Sequence, residues 1–191
     1  MAILEFSGRR TGSLAVLMAA LALCAGLAQP VQAGDPALEY AAKANYLSRM
    51  TPFVDWPATA FDGPAAPFIL CVAGRDPFGT MIDEAVRDQH VGDHPVAVVR
   101  LRMVAKGAAC HLLFLGRTRL QTPHQMLAAV AGQPVLTVAD QDLAADGAMV
   151  RFVKVDGRVR FEIDAAAAEA GGLTLSSKLL SLSASGKGGE R

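Results

Sequence analysis

Short, continuously apolar runs alternate with stretches of helical periodicity between residues 67 and 138. A strand that is apolar on both sides fits a sheet covered on both faces, and the intervening helices provide the connections that parallel strands require. This alternation predicts an α/β fold, with a single domain, a mostly parallel sheet and helices on both faces. The predicted strands are residues 67–73, 94–101, 110–115 and 134–138, and the predicted helices are residues 79–88 and 123–131.

After Gly147 the pattern changes to alternating polarity. Residues 149–164 form two runs with interleaved polar side chains, and Asp156-Gly157 joins them. Alternation is typical of half-buried strands, and Asp-Gly is a favoured two-residue hairpin turn. We therefore predict a C-terminal β-hairpin, followed by helices over residues 164–170 and 173–182.

Ahead of the first strand, apolar residues recur at three- and four-residue spacing from Pro36 to Trp56. Such spacing gives a helix one apolar face, and the preceding Asp35 suits the capping position before a helix that starts with proline. We predict an amphipathic helix that ends at Trp56-Pro57. A loop, residues 57–66, then leads into the sheet.

The first 33 residues have the composition of a secretory signal peptide. Arg9 and Arg10 precede an uncharged run, residues 14–28, and the small residues around Ala33 suit a cleavage site. An apolar run of this length is short for a membrane-spanning helix. Cys24 also resembles a lipidation site, but the preceding residue is leucine where a small one is expected. We expect this segment to be removed and the rest of the chain to be exported.

Removal of that segment leaves residues 34–182 as one domain and a polar, glycine-rich tail, residues 183–191, that we expect to be disordered. The whole chain has 18 basic and 18 acidic side chains; without Glu5, Arg9 and Arg10 it has 16 and 17. A nearly neutral chain without a basic cluster gives no electrostatic reason to bind nucleic acid or an anionic membrane.

The cysteines point to a covalent cross-link. Cys24 lies in the signal segment, so an exported chain keeps Cys71 and Cys110. An even number of cysteines in an oxidising compartment predicts a disulfide between these two. It would close a loop of about 40 residues and contribute roughly 3–4 kcal/mol in the chain-entropy model. Two buried free thiols are the alternative.

Two glycines at phosphate-loop spacing, Gly74 and Gly79, follow the first predicted strand. Thr80 occupies the position of the lysine that would reach the phosphates, and Pro77 removes a backbone donor. The stretch is therefore better explained as a turn in which Asp76 caps the next helix.

No other arrangement of reactive side chains in the sequence predicts catalysis or metal binding. Ser176-Ser177-Lys178 lacks the serine–lysine spacing of a nucleophile on one helix face. Glu162 and Asp164 fall on one face of the second hairpin strand and could form a carboxylate pair, but a solvent-facing strand edge beside Arg158 and Arg160 explains them better. The four histidines lack the spacing of metal ligands; they are His90, His94, His111 and His124. We expect no catalytic site, no cofactor and no metal ion.

Six short motifs occur in a defined order along the chain. They are ANYL at 44–47 with FVDWP at 53–57, GRDPFG at 74–79, CHLLFLG at 110–116, PVLTVAD at 134–140, VRFEID at 159–164 and GLTLSSKLL at 172–180. With these motifs behind a signal peptide, the chain resembles the YfiR-like family of periplasmic proteins, from Glu39 to about Leu182.

The resemblance implies a negative regulator that binds the periplasmic region of an inner-membrane diguanylate cyclase and represses cyclic-di-GMP synthesis. It also implies an α/β sandwich-like domain, a homodimer, and sequestration by an outer-membrane OmpA-like lipoprotein. Cys71 and Cys110 match cysteines that are paired in relatives, whereas the second cysteine pair of some members is missing here. We expect the first helix and the loop 57–66 to contact the cyclase.

The alternative function is that of a periplasmic small-ligand-binding domain, accessory to a sensor or transporter. In an open parallel sheet, ligands bind beyond the carboxyl ends of the strands. Arg75, Asp76 and Asp140 follow predicted strands and would line such a crevice.

Overall fold

The computed structural model of the chain describes residues 35–184. The predicted signal peptide, residues 1–33, and residues 185–191 of the predicted tail lie outside the described residues. The α-helices of the described range are α1 (Pro36–Met50), α2 (Thr80–Val86), α3 (Pro123–Ala129), α4 (Ala165–Ala170) and α5 (Ser177–Leu182).

Seven strands form one sheet, and two further strands pair with each other. The strands of the main sheet are β2 (Phe68–Ala73), β3 (His90–Val91), β4 (His94–Leu101), β5 (Leu112–Leu115), β6 (Leu136–Ala139), β7 (Val150–Val155) and β8 (Arg158–Ile163). The separate pair consists of β1 (Val54–Asp55) and β9 (Thr174–Leu175).

Across the main sheet the strands are ordered β3-β4-β2-β5-β6-β7-β8. The strands from β4 to β7 pair in parallel, and β3 and β8 run antiparallel at the two edges. The hairpin of β7 and β8 turns at Asp156-Gly157, where both residues have positive φ, as a tight hairpin turn requires. The predicted sheet, mostly parallel with a C-terminal hairpin, is confirmed.

Each face of the main sheet carries its own hydrophobic core. Alternate side chains of a strand point to opposite faces, so Leu112 and Phe114 of β5 pack into one core and Leu113 and Leu115 into the other. Residues of α1, α2, α4 and α5 cover the first core, and α3 covers the second. Helices on both faces are therefore confirmed.

The first and last helices are shorter than predicted. α1 ends at Met50 because the next residues, Thr51–Phe53, form a 3₁₀ turn with a proline near its start. α5 begins later than predicted because Thr174 and Leu175 pair with β1 instead. The pairing joins the start of the domain to its end.

β5 also begins later than predicted, at Leu112 rather than residue 110. Cys110 donates its N–H to Ala108 O in a tight local turn (2.8 Å). His111 donates its N–H to Ile69 O (2.9 Å) and so brings the chain alongside β2 before the strand begins.

Candidate functional site

The order of strand addition reverses at β2. β4 follows β2 along the chain and lies on one side of it, whereas β5 follows β4 and lies on the other side. In open parallel sheets such a switch point leaves a crevice outside the carboxyl ends of the two strands, here β2 and β5. The predicted ligand crevice would lie at this place.

Two loops come together at the switch point. Gly116 donates its N–H to Ala73 O (2.8 Å), and Arg75 donates its N–H to Arg117 O (2.9 Å). A Cβ on Gly116 would overlap the carbonyl oxygens of Ala73 and Arg75, so the close approach of the loops requires glycine here. The contact brings the two arginines to the rim of the crevice.

The crevice itself is small. It encloses about 40 Å³ between side chains that include Tyr40, Arg75, Arg117 and Asp140. Small-molecule sites usually span roughly 300–1,000 Å³, whereas one buried water occupies about 30 Å³. The crevice can therefore hold water-sized ligands, but not an amino acid or a nucleotide.

A wider groove of about 500 Å³ lies between α3 and α4. Its lining is mainly small or apolar and includes Leu127, Ala131, Val135 and Ala167. Ligand sites combine an apolar lining with a few convergent polar groups that fix the orientation of the ligand. The polar side chains in its lining are His124, Gln133, Thr137 and Asp146, and the last three are already bound to neighbouring groups.

A buried lysine next to the crevice was not predicted. Lys43 of α1 is 2% exposed, and its Nζ lies 2.7 Å from each carboxylate oxygen of Asp140 and 2.6 Å from Glu39 Oε1. Tyr40 donates its hydroxyl hydrogen to Asp140 Oδ2 (3.2 Å). This cluster, which we call the Lys43 network, joins α1 to the end of β6.

Two side chains of the Lys43 network, Tyr40 and Glu39, have shifted pKa values. Burial, followed by the negative charge of Asp140, raises the pKa of Tyr40 to about 12. Burial alone would raise the pKa of Glu39, but hydrogen bonds from Lys154 and Lys43 outweigh it and hold that pKa below its usual range. The phenol stays neutral and the glutamate stays ionised at neutral pH, which suits a structural brace rather than an acid–base pair.

Asp76 faces away from the crevice, contrary to its predicted place beside Arg75. Its Oδ1 accepts the N–H groups of Phe78 (2.7 Å) and Gly79 (3.2 Å), and its Oδ2 accepts from Arg100 Nε (2.7 Å). Gly79 is the cap residue of α2, so the prediction that Asp76 caps this helix is wrong. Asp76 instead closes the turn before α2 and anchors it to β4.

The loop of residues 57–66 is held against the sheet by His111. The ring accepts the N–H of Ile69 at Nδ1 (2.9 Å), so Nε2 carries the hydrogen and donates to Ala60 O (3.0 Å). Phe61 stacks on the same ring, with the centroids 4.5 Å apart. A neutral histidine therefore fixes the conformation of this loop.

Within the predicted cyclase-binding region, the loop 57–66 is more exposed than most of α1. The loop exposes Pro57, Ala58, Thr59, Asp62, Pro64 and Ala65. Leu38 in the first turn of α1 is 71% exposed, whereas most later residues of α1 are buried or half-buried. The accessible parts of the predicted surface are thus the beginning of α1 and the exposed residues of the loop.

The family model of YfiR/HmsC-like proteins matches residues 40–184, which is nearly all of the described chain. The chain belongs to this family. None of the curated proteins compared with it matches significantly. YfiR/HmsC-like proteins are periplasmic regulators of diguanylate cyclase signalling rather than enzymes. Within residues 35–184 of this member, no helix has the length and apolar character needed to cross a membrane.

In this YfiR/HmsC-like domain, the structure joins Cys71 of β2 to Cys110 by a disulfide, with the Cα atoms 5.8 Å apart. Both cysteines belong to the second core, beneath α3, and are buried. Reduction and exchange need a thiolate to reach the sulfur atoms, so burial protects the bond. A structural role is expected.

The residues considered for catalysis in this YfiR/HmsC-like chain have structural contacts. Ser176 caps α5 and Asp164 caps α4, each through a backbone N–H three residues further on. Lys178 Nζ lies over the ring of Phe53, 5.2 Å from its centroid. Among the described residues, no three His, Cys, Asp or Glu side chains converge in a way that could hold a metal ion.

Acidification is expected to destabilise the domain through His111. Burial is the main cause that lowers its pKa; nearby His94 adds to it, while the hydrogen bond to Ala60 and the charge of Asp62 oppose it. A protonated ring would carry a hydrogen on Nδ1 as well, and this N–H would point at the N–H of Ile69. Because the folded-state pKa lies below the unfolded value of about 6.5, the unfolded state binds more protons. His111 therefore does not change the free energy of unfolding well above pH 6.5. As the pH falls from the unfolded-state pKa to the lower folded-state pKa, the free energy of unfolding decreases.

Urea unfolding at a series of pH values on both sides of 6.5 checks this expectation. His111→Gln should flatten the decline at low pH, whereas His124→Gln, which replaces an exposed histidine, should retain it. An equally steep decline in His111→Gln and in the wild type would contradict the assignment.

Proposed function

We propose that the chain is a periplasmic negative regulator that binds the periplasmic region of an inner-membrane diguanylate cyclase and represses cyclic-di-GMP synthesis. The observation that carries this proposal is the family match over residues 40–184, because it includes both cores and every strand of the main sheet. The signal-peptide pattern of residues 1–33 supports export. Further proposals are a homodimer and an outer-membrane OmpA-like lipoprotein that sequesters the regulator.

Repression of this kind requires a difference in affinity between two states of the cyclase. A bound regulator shifts an equilibrium only if it binds the inactive conformation more tightly than the active one. A 100-fold shift corresponds to about 2.7 kcal/mol of difference. A modest interface can supply this amount.

The exposed residues of the loop 57–66 and the beginning of α1 are the proposed contact surface. The loop is anchored by the hydrogen bond from His111 to Ala60 and by stacking of Phe61. A loop that is already ordered loses little conformational entropy on binding. This anchoring supports the loop as a recognition element.

Small-ligand binding is less well supported as the function. The crevice near Arg75 encloses about 40 Å³, which is too small for an amino acid or a nucleotide. The groove between α3 and α4 is large enough, but three of its four polar side chains already bind groups of the protein itself. We therefore do not propose ligand binding as the function.

Deletion of the gene is expected to raise intracellular cyclic-di-GMP, because the cyclase would lose its repressor. The exported wild type should restore the lower level, whereas a chain without residues 2–33 should not, because it would remain on the wrong side of the inner membrane. Quantifying cyclic-di-GMP in cell extracts gives the result. An unchanged level after deletion, under several growth conditions, would contradict the proposed function.

A pair of complementing variants tests the proposed contact surface. Ala58→Glu places a charge on the exposed loop, and Ala131→Glu places one on an exposed site after α3. The first should weaken repression and the second should not, when both accumulate in the periplasm to the same level. Equal repression by both variants would show that the loop is not the contact.

A further inference from the structure

The outer edge of β4 is only partly paired within the described residues. β3 pairs with His94 and Pro95, and Val96 donates its N–H to Gln89 O (3.0 Å). From the carbonyl group of Val96 to Leu101, no strand of residues 35–184 lies on this side of β4. The sheet therefore ends in an open edge next to a short, blocking strand.

The open edge presents the carbonyl group of Val96 and four further backbone groups. The N–H of Val96 points outward, and Leu101 O points inward to accept from Gly74 N–H (2.8 Å). Because the direction alternates along a strand, the N–H and C=O groups of Val98 and Arg100 point outward. None of these four groups has a hydrogen-bond partner among the described residues. Such a row is a template for pairing with another strand.

This edge lacks the protection that isolated edge strands usually have. Edge strands are commonly blunted by charged side chains that repel an incoming strand. The only charged side chain between Val96 and Leu101 is Arg100, and its guanidinium is bound within its own chain, by Asp76 (2.7 Å), Asp83 (2.5 Å) and Gly79 O (2.8 Å). Val99, on the opposite face, is 37% exposed. The edge is open, apolar and without a free charge.

We propose that β4 pairs antiparallel with β4 of a second copy of the chain, and that the twofold axis passes beside Val99. In this register Val98 of each copy pairs with Arg100 of the other, so the N–H and C=O groups of both residues are bonded in each copy. Centring the pair on Val98 instead would place Arg100 opposite Val96, where Gln89 already lies. The chain at β3 therefore excludes the register centred on Val98 and leaves the one centred on Val99.

A second copy suits this edge better than an unrelated strand does. A twofold axis pairs the outward groups of Val98 and Arg100 with the same groups of an identical neighbour, so the edge is complementary to itself. The two Val99 side chains would face each other as a non-hydrogen-bonded pair, in which side chains approach most closely. Because Arg100 is neutralised within each copy, the two edges do not repel each other. This inference concerns self-association alone and holds or fails independently of cyclase repression.

The test uses the fact that, in the proposed dimer, Val99 of one copy lies directly opposite Val99 of the other. The wild type, purified from the periplasm, should be a dimer by size-exclusion chromatography with light scattering. Val99→Lys and Val99→Glu should each be monomeric, because like charges directly opposite each other destabilise a strand pair. An equimolar mixture of the two variants should recover the dimer, because the charges then attract.

Val155→Lys is the matched control, since Val155 is also a strand valine and is 43% exposed. It should leave the dimer intact. Circular dichroism of each variant confirms folding, which an exposed edge lysine should not disturb. A monomeric wild type, a Val99→Lys variant as dimeric as the wild type, or a mixture that stays monomeric would each overturn the proposal.

Discussion

Replacing Lys43 with methionine is expected to lower the free energy of unfolding by about 3–5 kcal/mol. The ammonium group is 2% exposed and is bound to Asp140 and Glu39. Its removal leaves the Asp140 carboxylate buried beside an apolar side chain, with only Tyr40 and the N–H of Gln141 as donors. Since domains of this kind are stable by about 5–15 kcal/mol, a large share of the stability would be lost.

Two comparisons identify the buried charge as the cause. Lys43→Met/Asp140→Asn should recover part of the loss, because asparagine carries no charge and can still accept from Tyr40 and Gln141. Lys154→Met, which removes the exposed partner of Glu39, should cost less than about 1 kcal/mol. Urea unfolding of the four proteins measures the differences. Similar losses in Lys43→Met and Lys154→Met would show that burial does not strengthen the network.

Lys43 also shows where sequence reasoning stops. The residue interrupts the apolar stripe of α1, four positions after Glu39, and that spacing is equally typical of an exposed ion pair on a helix surface. Its burial depends on Asp140, which is nearly one hundred positions further along the chain. No local pattern in the sequence reveals which acidic residue will lie close to Lys43 in the folded chain.

The same distinction between local and distant signals explains the fold. β2, β4, β5 and β6 are predictable from their continuous apolar runs, and β7 and β8 from the alternating polarity on either side of Asp156-Gly157. β3 has only two residues and no such pattern, and the sequence did not predict it. β1 and β9 are two residues each and form only because Val54 meets Leu175 across the length of the domain. Their pairing also shortens the predicted last helix.

The sequence predicted the end of the sheet at which the crevice residues lie, but not the side chains that they contact. Parallel strands do bring Arg75 and Asp140 to one edge of the sheet, as the order of elements predicts. Asp76 binds Arg100 on β4, and Asp140 binds Lys43 on α1. Topology fixes where a backbone segment lies, whereas the choice of partner by a charged side chain depends on distances that topology does not specify.

Loss of the disulfide should be the other large effect. Replacing both Cys71 and Cys110 with alanine is expected to lower the free energy of unfolding by about 3–4 kcal/mol, because the two residues are 39 positions apart and the bond restricts the unfolded chain. In the folded state β2 and β5 are already neighbours, with Cys71 opposite Leu113. The bond therefore adds little to native contacts, and its effect arises mainly in the unfolded state.

Urea unfolding of the wild type, with and without reductant, and of the double variant measures this effect. The reduced wild type and the Cys71→Ala/Cys110→Ala variant should both unfold at lower urea than the oxidised protein, and mass spectrometry should find no free thiol in protein purified from the periplasm. Because the bond is buried in the second core beneath α3, the double variant should lower the folded yield more than it lowers repression per folded molecule. Two free thiols in the purified protein, or equal stability with and without reductant, would mean that the sheet and its two cores alone hold the chain together.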